Sequence, residues 1–158
     1  MCDFAVRDCP MSSLDYEGVA ALVRNSFGTL VREGIKTPTA CISADEIKGR
    51  MHSKAFCAFD YNSKLAGIIL INIFHQNICY LDICAVSPDY QNKGVGTILA
   101  RFMELNLRDS GLKYIYLNTM APAKYNIRFY EKIGYKKYSF GRFTGNYFSI
   151  IFRKYPEN

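Results

Sequence analysis

Gln91, Lys93, Gly94 and Gly96 stand in the segment Val86-Ser-Pro-Asp-Tyr-Gln-Asn-Lys-Gly-Val-Gly-Thr97, between an apolar run and a helical one. Residues of these types at this spacing suit the holding of phosphate. Glycine permits a tight turn and leaves no side chain between its amide and a ligand. The first N–H groups of a helix lack intrahelical partners and carry the positive end of its dipole. A lysine beside them adds a mobile cation. A Walker loop is excluded, because Thr97 follows Gly96 directly with no lysine between them. A dinucleotide fingerprint is excluded as well: Leu99 holds the third-glycine position, and no acid ends a second strand about 20 residues on.

Such a loop needs a strand before it and a helix after it. Ile78–Val86 reads as a strand halted at Pro88, and the helical pattern beyond Gly96 runs to about Leu107 before Ser110-Gly111 stops it. Ahead of them, residues 4–7 read as a strand. A helix follows, capped by Ser12-Ser13 with Asp15 and Glu17 in its first turn and carried by Val19, Leu22, Val23, Phe27 and Leu30 to Gly34. Residues 35–42, with Pro38, read as a loop, and Ser43-Ala-Asp-Glu46 is a capping box that opens a short helix to about His52. Residues 54–60 and 64–74 form a hairpin, and Gln76-Asn77 makes the next tight turn. A strand at 114–118, a helix at 123–133 and a hairpin of 135–140 with Tyr147–Lys154, turning around 141–146, complete the chain. The order is mixed α/β. A helix joins strands 78–86 and 114–118, so these two run parallel. Ligands in such sheets favour the carboxyl ends of strands beside helix N-termini, which brings the glycine loop and residues 118–121 to one edge.

The 158 residues suit a single domain, 1–158, with one core. The start lacks the basic and long apolar regions of a signal peptide, and the longest apolar stretch, 65–74, is too short to span a bilayer. The expected place is the cytoplasm, with no membrane partner. Six cysteines, at 2, 9, 41, 57, 79 and 84, show no zinc spacing and read as buried reduced thiols. Cys79 and Cys84, five apart on a strand, should face opposite ways and share no metal; none is expected. The net charge is +6; residues 1–54 hold seven basic and seven acidic groups, so the whole surplus lies in the half with the glycine loop. A nucleic-acid binder would also be basic, but the cations are dispersed and no nucleic-acid motif accompanies them. A polyphosphate cofactor explains their placement more simply, and no nucleic-acid partner is expected.

Gln-x-x-Gly-x-Gly with its strand, Val-Ser-Pro and helix resembles the pyrophosphate loop of the GNAT superfamily of N-acetyltransferases. The likeness covers roughly residues 4–154 and is tightest over 78–135. It implies a GNAT-like fold: a central, mixed, mostly antiparallel sheet of about seven strands with a parallel splayed pair, flanked by about four helices. It also implies transfer of an acetyl group from acetyl-CoA to a primary amine, small molecule or peptide, by direct attack in a ternary complex. A homodimer through the last hairpin is compatible with it. The implied cofactor-binding residues are Cys84, Ala85, Val86, Gln91, Asn92, Lys93, Gly94, Val95, Gly96, Thr97, Asn118, Asn126 and Tyr130. The cofactor's pantetheine arm would lie between the splayed strands, near the backbone of Ala85 and Val86, where an N–H would stabilise the thioester oxyanion.

In the stretch Ile127-Arg-Phe-Tyr-Glu-Lys-Ile-Gly-Tyr135, Tyr130 matches the tyrosine that reaches the CoA sulfur; otherwise it is an ordinary core aromatic. Asp82 is the second catalytic candidate. Alternation puts Tyr80, Asp82, Cys84 and Val86 on one face, and a carboxylate in an apolar strand must be paired, exposed to a cleft, or working. The resemblance implies a base for the amine or the residue that orders a deprotonating water; otherwise Asp82 is a structural carboxylate hydrogen-bonded to a neighbouring strand or to an arginine. The family's Asn-x-x-Ala positions read Ala123 and Asn126 here, so the pantetheine amide contact falls to Asn126 or Asn118. Phe27, Arg32, Tyr80 and Tyr147 are candidates for the acceptor wall. Rival readings are a CoA-binding regulatory module without turnover and, more distantly, a basic nucleic-acid domain.

Overall fold

In a computed structural model, residues 4–75, 77–144 and 147–156 are described. Cys2, Gln76, Gly145 and Asn146, which figure in the expectations above, lie outside them. The elements are β1 (Ala5–Cys9), α1 (Tyr16–Arg32), α2 (Ala44–Gly49), β2 (Lys54–Phe59), β3 (Leu65–Phe74), β4 (Ile78–Val86), α3 (Val95–Leu107), β5 (Tyr114–Met120), α4 (Lys124–Lys132), β6 (Lys136–Thr144) and β7 (Tyr147–Lys154). The strands make one sheet in the order β1-β2-β3-β4-β5-β7-β6. Every neighbouring pair is antiparallel except β4–β5. This is the expected mixed sheet with four helices.

Each face of the sheet has its own core. Alternating residues of β3 divide between them: Ile68 and Leu70 pack with α1 and α2, while Ile69 and Ile71 pack with α3 and Tyr130 of α4. A strand covered on both faces reads as an unbroken apolar run, which is why β3 carries Ile-Ile-Leu-Ile. Helix α3 lies close on β3 at Gly67, where a Cβ would meet Leu99 at 2.9 Å.

The parallel pair is short. Only Ile78↔Tyr114, Cys79↔Ile115 and Tyr80↔Tyr116 face each other; beyond them both strands run on, to Val86 and Met120, without pairing. The cause lies two residues past Tyr80. On β3, Leu70 faces Ile83 while Ile71 faces Leu81, so Asp82 is an extra residue with no partner. A bulge bends its strand and increases the local twist, and here it turns β4 away from β5.

The same bulge corrects two expectations about faces. Cys79 and Leu81 belong to the α3 core, Ile83 and Ala85 to the α1 core, and Cys84 and Val86 pack against the α3 core again. An inserted residue reverses the alternation. Tyr80 therefore lies opposite Cys84 and Val86, not beside them, and Cys79 shares a face with Cys84. Among the other described cysteines, Cys41 is exposed rather than buried.

Several boundaries also differ. Helix α1 is capped by Asp15, whose Oδ1 accepts the Gly18 N–H at 3.1 Å; Ser12 and Ser13 sit in a preceding 3-10 turn, where Ser13 Oγ donates to the Pro10 carbonyl. The Ser43–Glu46 box is present as expected, but α2 ends at Gly49, because Met51 turns with φ +51° to lead into β2. Residues 38–41 of the predicted loop form a 3-10 turn. Strands β5 and β6 reach past their predicted ends, to Met120 and to Thr144.

Candidate active site

The splay opens a cleft of about 820 Å³, entered between the β4–α3 loop, α4 and the end of α1. At one end lies the glycine loop. Gln91 Nε2 donates to the Val86 carbonyl at 3.1 Å, and Tyr90 hydroxyl donates to Asp60 on the β2–β3 turn, so the loop is tied at both sides. Asn92 turns with φ +61° and Gly94 with φ +84°; nothing lies within 4 Å of where a Gly94 side chain would begin. Helix α3 starts there with no side-chain cap and no acid in its first turn. Its opening amides face the cleft, lined here by Gly94, Val95, Gly96 and Thr97. Gly96 serves a different purpose from Gly94: it is helical, and its bare Cα admits the ring of Phe129, which a Cβ would meet at 3.1 Å. Lys93 is outside the cleft, its ammonium 5.5 Å over the Tyr90 ring.

Along the floor, Ser87 N–H donates to Ala66 on β3 at 2.9 Å. Successive residues of a strand point their peptide groups to opposite sides, so the amides of Val86 and Cys84 turn into the gap and that of Ala85 turns to β3. Ala85 is thus not brought to the cleft; its side chain is buried in the α1 core. Val86 N–H meets Ser26 Oγ of α1 at 3.3 Å. Tyr130 of α4 reaches the floor, packed by Phe129, Tyr135 and Phe152, with the Cys84 thiol beside its hydroxyl. Burial, with Cys84 and Tyr135 beside it, holds the Tyr130 phenol well above its ordinary value. Burial likewise pushes the Cys84 thiol up to about 12, so it is a neutral thiol and not a nucleophile.

Asp82, the bulge residue, is the centre of the other end. Its Oδ2 accepts Arg50 Nη1 at 2.9 Å and meets His52 Nε2 at 2.7 Å. Burial alone would raise its carboxyl, but the hydrogen bonds from His52 and Arg50, with their charge, outweigh it and hold the group below the usual carboxylate range. The His52 ring is fully buried and its Nδ1 has no partner among the described residues. The structure therefore shows the arginine-paired Asp82, opened to the cleft. Tyr80 donates to Asn118 Oδ1 at 3.2 Å across the mouth of the splay, and Asn126 Nδ2 donates to Thr119 at 3.4 Å; all four residues line the cleft.

Of the acceptor candidates, Phe27 and Tyr80 line the cleft. Arg32 does not: five residues beyond Phe27 on a helix of 100° per residue, it points away, into a second hollow with Gly28 and Lys64. Tyr147 is also off the cleft, its hydroxyl donating to the Gly34 carbonyl at 3.3 Å. Sequence reasoning passed over Ser26, Arg50, Arg128 and Lys132, all on the cleft. The last two are four apart on α4, a spacing that signals a shared helix face. Nothing local marks Ser26 or Arg50, because only the fold brings α1 and the end of α2 to β4.

This arrangement recurs in known proteins. The model of the Acetyltransferase (GNAT) family matches residues 29–135. An uncharacterized N-acetyltransferase of Chlorobaculum tepidum is 26% identical over 86 residues, 54% of this chain and 52% of that protein, so the chain spans about half the length of this curated relative. Among solved structures, the ribosomal-protein-S18-alanine N-acetyltransferase of Escherichia coli superposes with a TM-score of 0.79 at 18% identity, over 99% of this chain and 96% of that one. PaiA N-acetyltransferase of Thermoplasma acidophilum, in complex with coenzyme A, gives 0.75 at 20% identity, over 94% and 98%. At these identities the superpositions speak for the fold alone. With the match of the family over residues 29–135, and with its pyrophosphate-type loop and splayed strands in place, the chain belongs to the GNAT family of acetyltransferases.

Proposed function

We propose that the protein moves the acetyl group of acetyl-CoA to a primary amine by direct attack in a ternary complex. The observation that carries this reading is the convergence of three features on one cleft: the uncapped start of α3, the unpaired peptide edge of β4 at Cys84, and the neutral Tyr130 phenol. The residues fit the cofactor. Free first-turn amides, the open space at Gly94 and the cations Arg128 and Lys132 suit a diphosphate, and the gap between β4 and β5 suits an extended arm that completes the missing strand pairing.

Bound there, acetyl-CoA supplies an activated acyl group and a good leaving thiolate. The chain's part is placement and electrostatics. The Cys84 N–H, turned into the gap, would donate to the thioester oxygen on which charge develops. Tyr130 keeps its proton at neutral pH and presents it to the departing sulfur. Asp82, held as a carboxylate, orders the incoming ammonium, and its low basicity sends the amine's proton on to water.

Thiol release from acetyl-CoA across an amine panel tests the reading. Release that requires an amine, with no acyl-protein formed in its absence, is the expected result. CoA binding by calorimetry without release for any amine would instead leave a binding module. Tyr130→Phe should lower kcat about tenfold with CoA affinity unchanged, since a thiolate departs readily without full protonation; unaltered kcat removes the phenol from the chemistry.

A further inference from the structure

The end of the cleft away from the glycine loop carries a carboxylate and a guanidinium side by side. Both are only half used. Asp82 spends Oδ2 on Arg50 and on His52, and its Oδ1 has no hydrogen bond among the described residues. Arg50 spends Nη1 on Asp82, which leaves Nε and Nη2, a second two-pronged edge, without a partner among the described residues. Both side chains line the cleft; that of Asp82 is 14% exposed and that of Arg50 38%. His52, wholly buried behind them, fixes which carboxylate oxygen is presented. From these residues, and resting on the acetyltransferase reading above, we infer that the acceptor is a small amine bearing its own carboxylate, its ammonium on Asp82 Oδ1 and its carboxylate on Arg50.

The placement suits the reaction. Asp82 precedes Cys84 by two residues, about 6.5 Å along a strand. A nitrogen held on Oδ1 therefore sits in the same stretch of the cleft as a thioester held beside the Cys84 amide, both residues lining it. In the transfer the nitrogen forms a bond to the acyl carbon and the carbon–sulfur bond breaks. The sulfur leaves with one proton as the CoA thiol, and the second proton released by the ammonium passes to solvent. The product is an N-acetyl amino acid. Acetylation removes the positive charge that Asp82 had faced, so the product loses one of its two anchors and departs. Arg50 also disfavours the two rivals. A protein N-terminus would leave its free edge unpaired, since the peptide's carboxylate lies far down the chain. A diamine would place its second cation against the guanidinium and would have to turn toward Glu33, the other acid of this cleft.

The test compares free α-amino acids and β-alanine with their own carboxamides, together with an octapeptide and a short diamine, by kcat/KM from thiol release. The acids should exceed their amides about tenfold to a hundredfold, the worth of one charge-assisted carboxylate contact. Arg50→Gln should bring that ratio near one, Arg50→Lys should keep part of it, and Arg32→Gln, outside the cleft, should leave it as in the wild type. Calorimetric CoA affinity confirms that each variant is folded. Amides, octapeptide or diamine used as well as the acids overturns the inference while the acetyltransferase reading stands, as does a ratio that survives Arg50→Gln. No thiol release with any amine overturns that reading, and this inference with it.

Discussion

At the start of α1, Asp15 takes the Gly18 amide at 3.1 Å, and at α2 Ser43 and Glu46 bond each other's backbone amides reciprocally. Helix α3 begins at Gly94 with neither a capping side chain nor an acid. The first two helices spend their N-terminal dipoles on their own residues, and the gain is stability. The third leaves its dipole unspent and exposed to a cleft. Helix capping is worth about 1 kcal/mol at a typical site, so a bare start costs the fold little and leaves an anion site open. On the function proposed above, the contrast separates helix starts that serve the fold from one that would serve a ligand; α4, whose start at Ala123 is also bare, shows that an open end is not by itself a site.

The largest expected effect comes from closing the α3 end. Gly96→Val must push Phe129 from its 3.1 Å approach and so move α4 from the loop. Acetyl-CoA affinity should fall about a hundredfold, through amide contacts each worth about 1.5–3 kcal/mol, and calorimetry reads it. Retained affinity would show that Gly96 has no part in shaping the anion site. Thr97→Glu gives α3 what α1 and α2 already have. The melting temperature should rise slightly, for about 0.3–1 kcal/mol. CoA affinity should drop about tenfold, because two anions now compete for one dipole. A variant in which both quantities move the same way breaks the comparison.

The next test uses pH, because the start of α3 contains no acid while Asp82 does titrate. Its carboxyl is lower in the folded state than in the unfolded chain, so the stability it contributes is present above the unfolded value, about 4, and is lost as pH falls through the folded one. Urea midpoints measured downward from pH 5 should decline, and Asp82→Asn should flatten part of that decline. The smallest effect is at α1: Asp15→Ala should cost about 1 kcal/mol by urea denaturation with kcat and CoA affinity unchanged.

Much of this was legible in the chain. The seven strands and four helices follow from alternation, from capping signals such as Ser43–Glu46, and from glycines at 94, 111 and 134 with positive φ. The loop was readable because its chemistry is backbone chemistry, set by consecutive residues. Asp82 was visible as an anomaly, a charge in an apolar strand, but its surroundings were not. Arg50 and His52 lie 32 and 30 residues away in sequence, and nothing near them signals a partner. The alternation that misplaced Tyr80 failed for a related reason. A bulge exists only as a relation between two strands, here Leu70 and Ile71 against Leu81 and Ile83, and one strand alone cannot display it.

The sequence by itself determined the elements, the parallel crossing and the glycine turn before α3, since each depends on residues a few positions apart and on local backbone energetics. Only the tertiary structure decided where β4 leaves β5, which face each residue of β4 presents, and that Arg50, His52 and Asp82 form one charged cluster. Those outcomes depend on long-range pairing and packing, in which a single unpaired residue reverses every side chain beyond it.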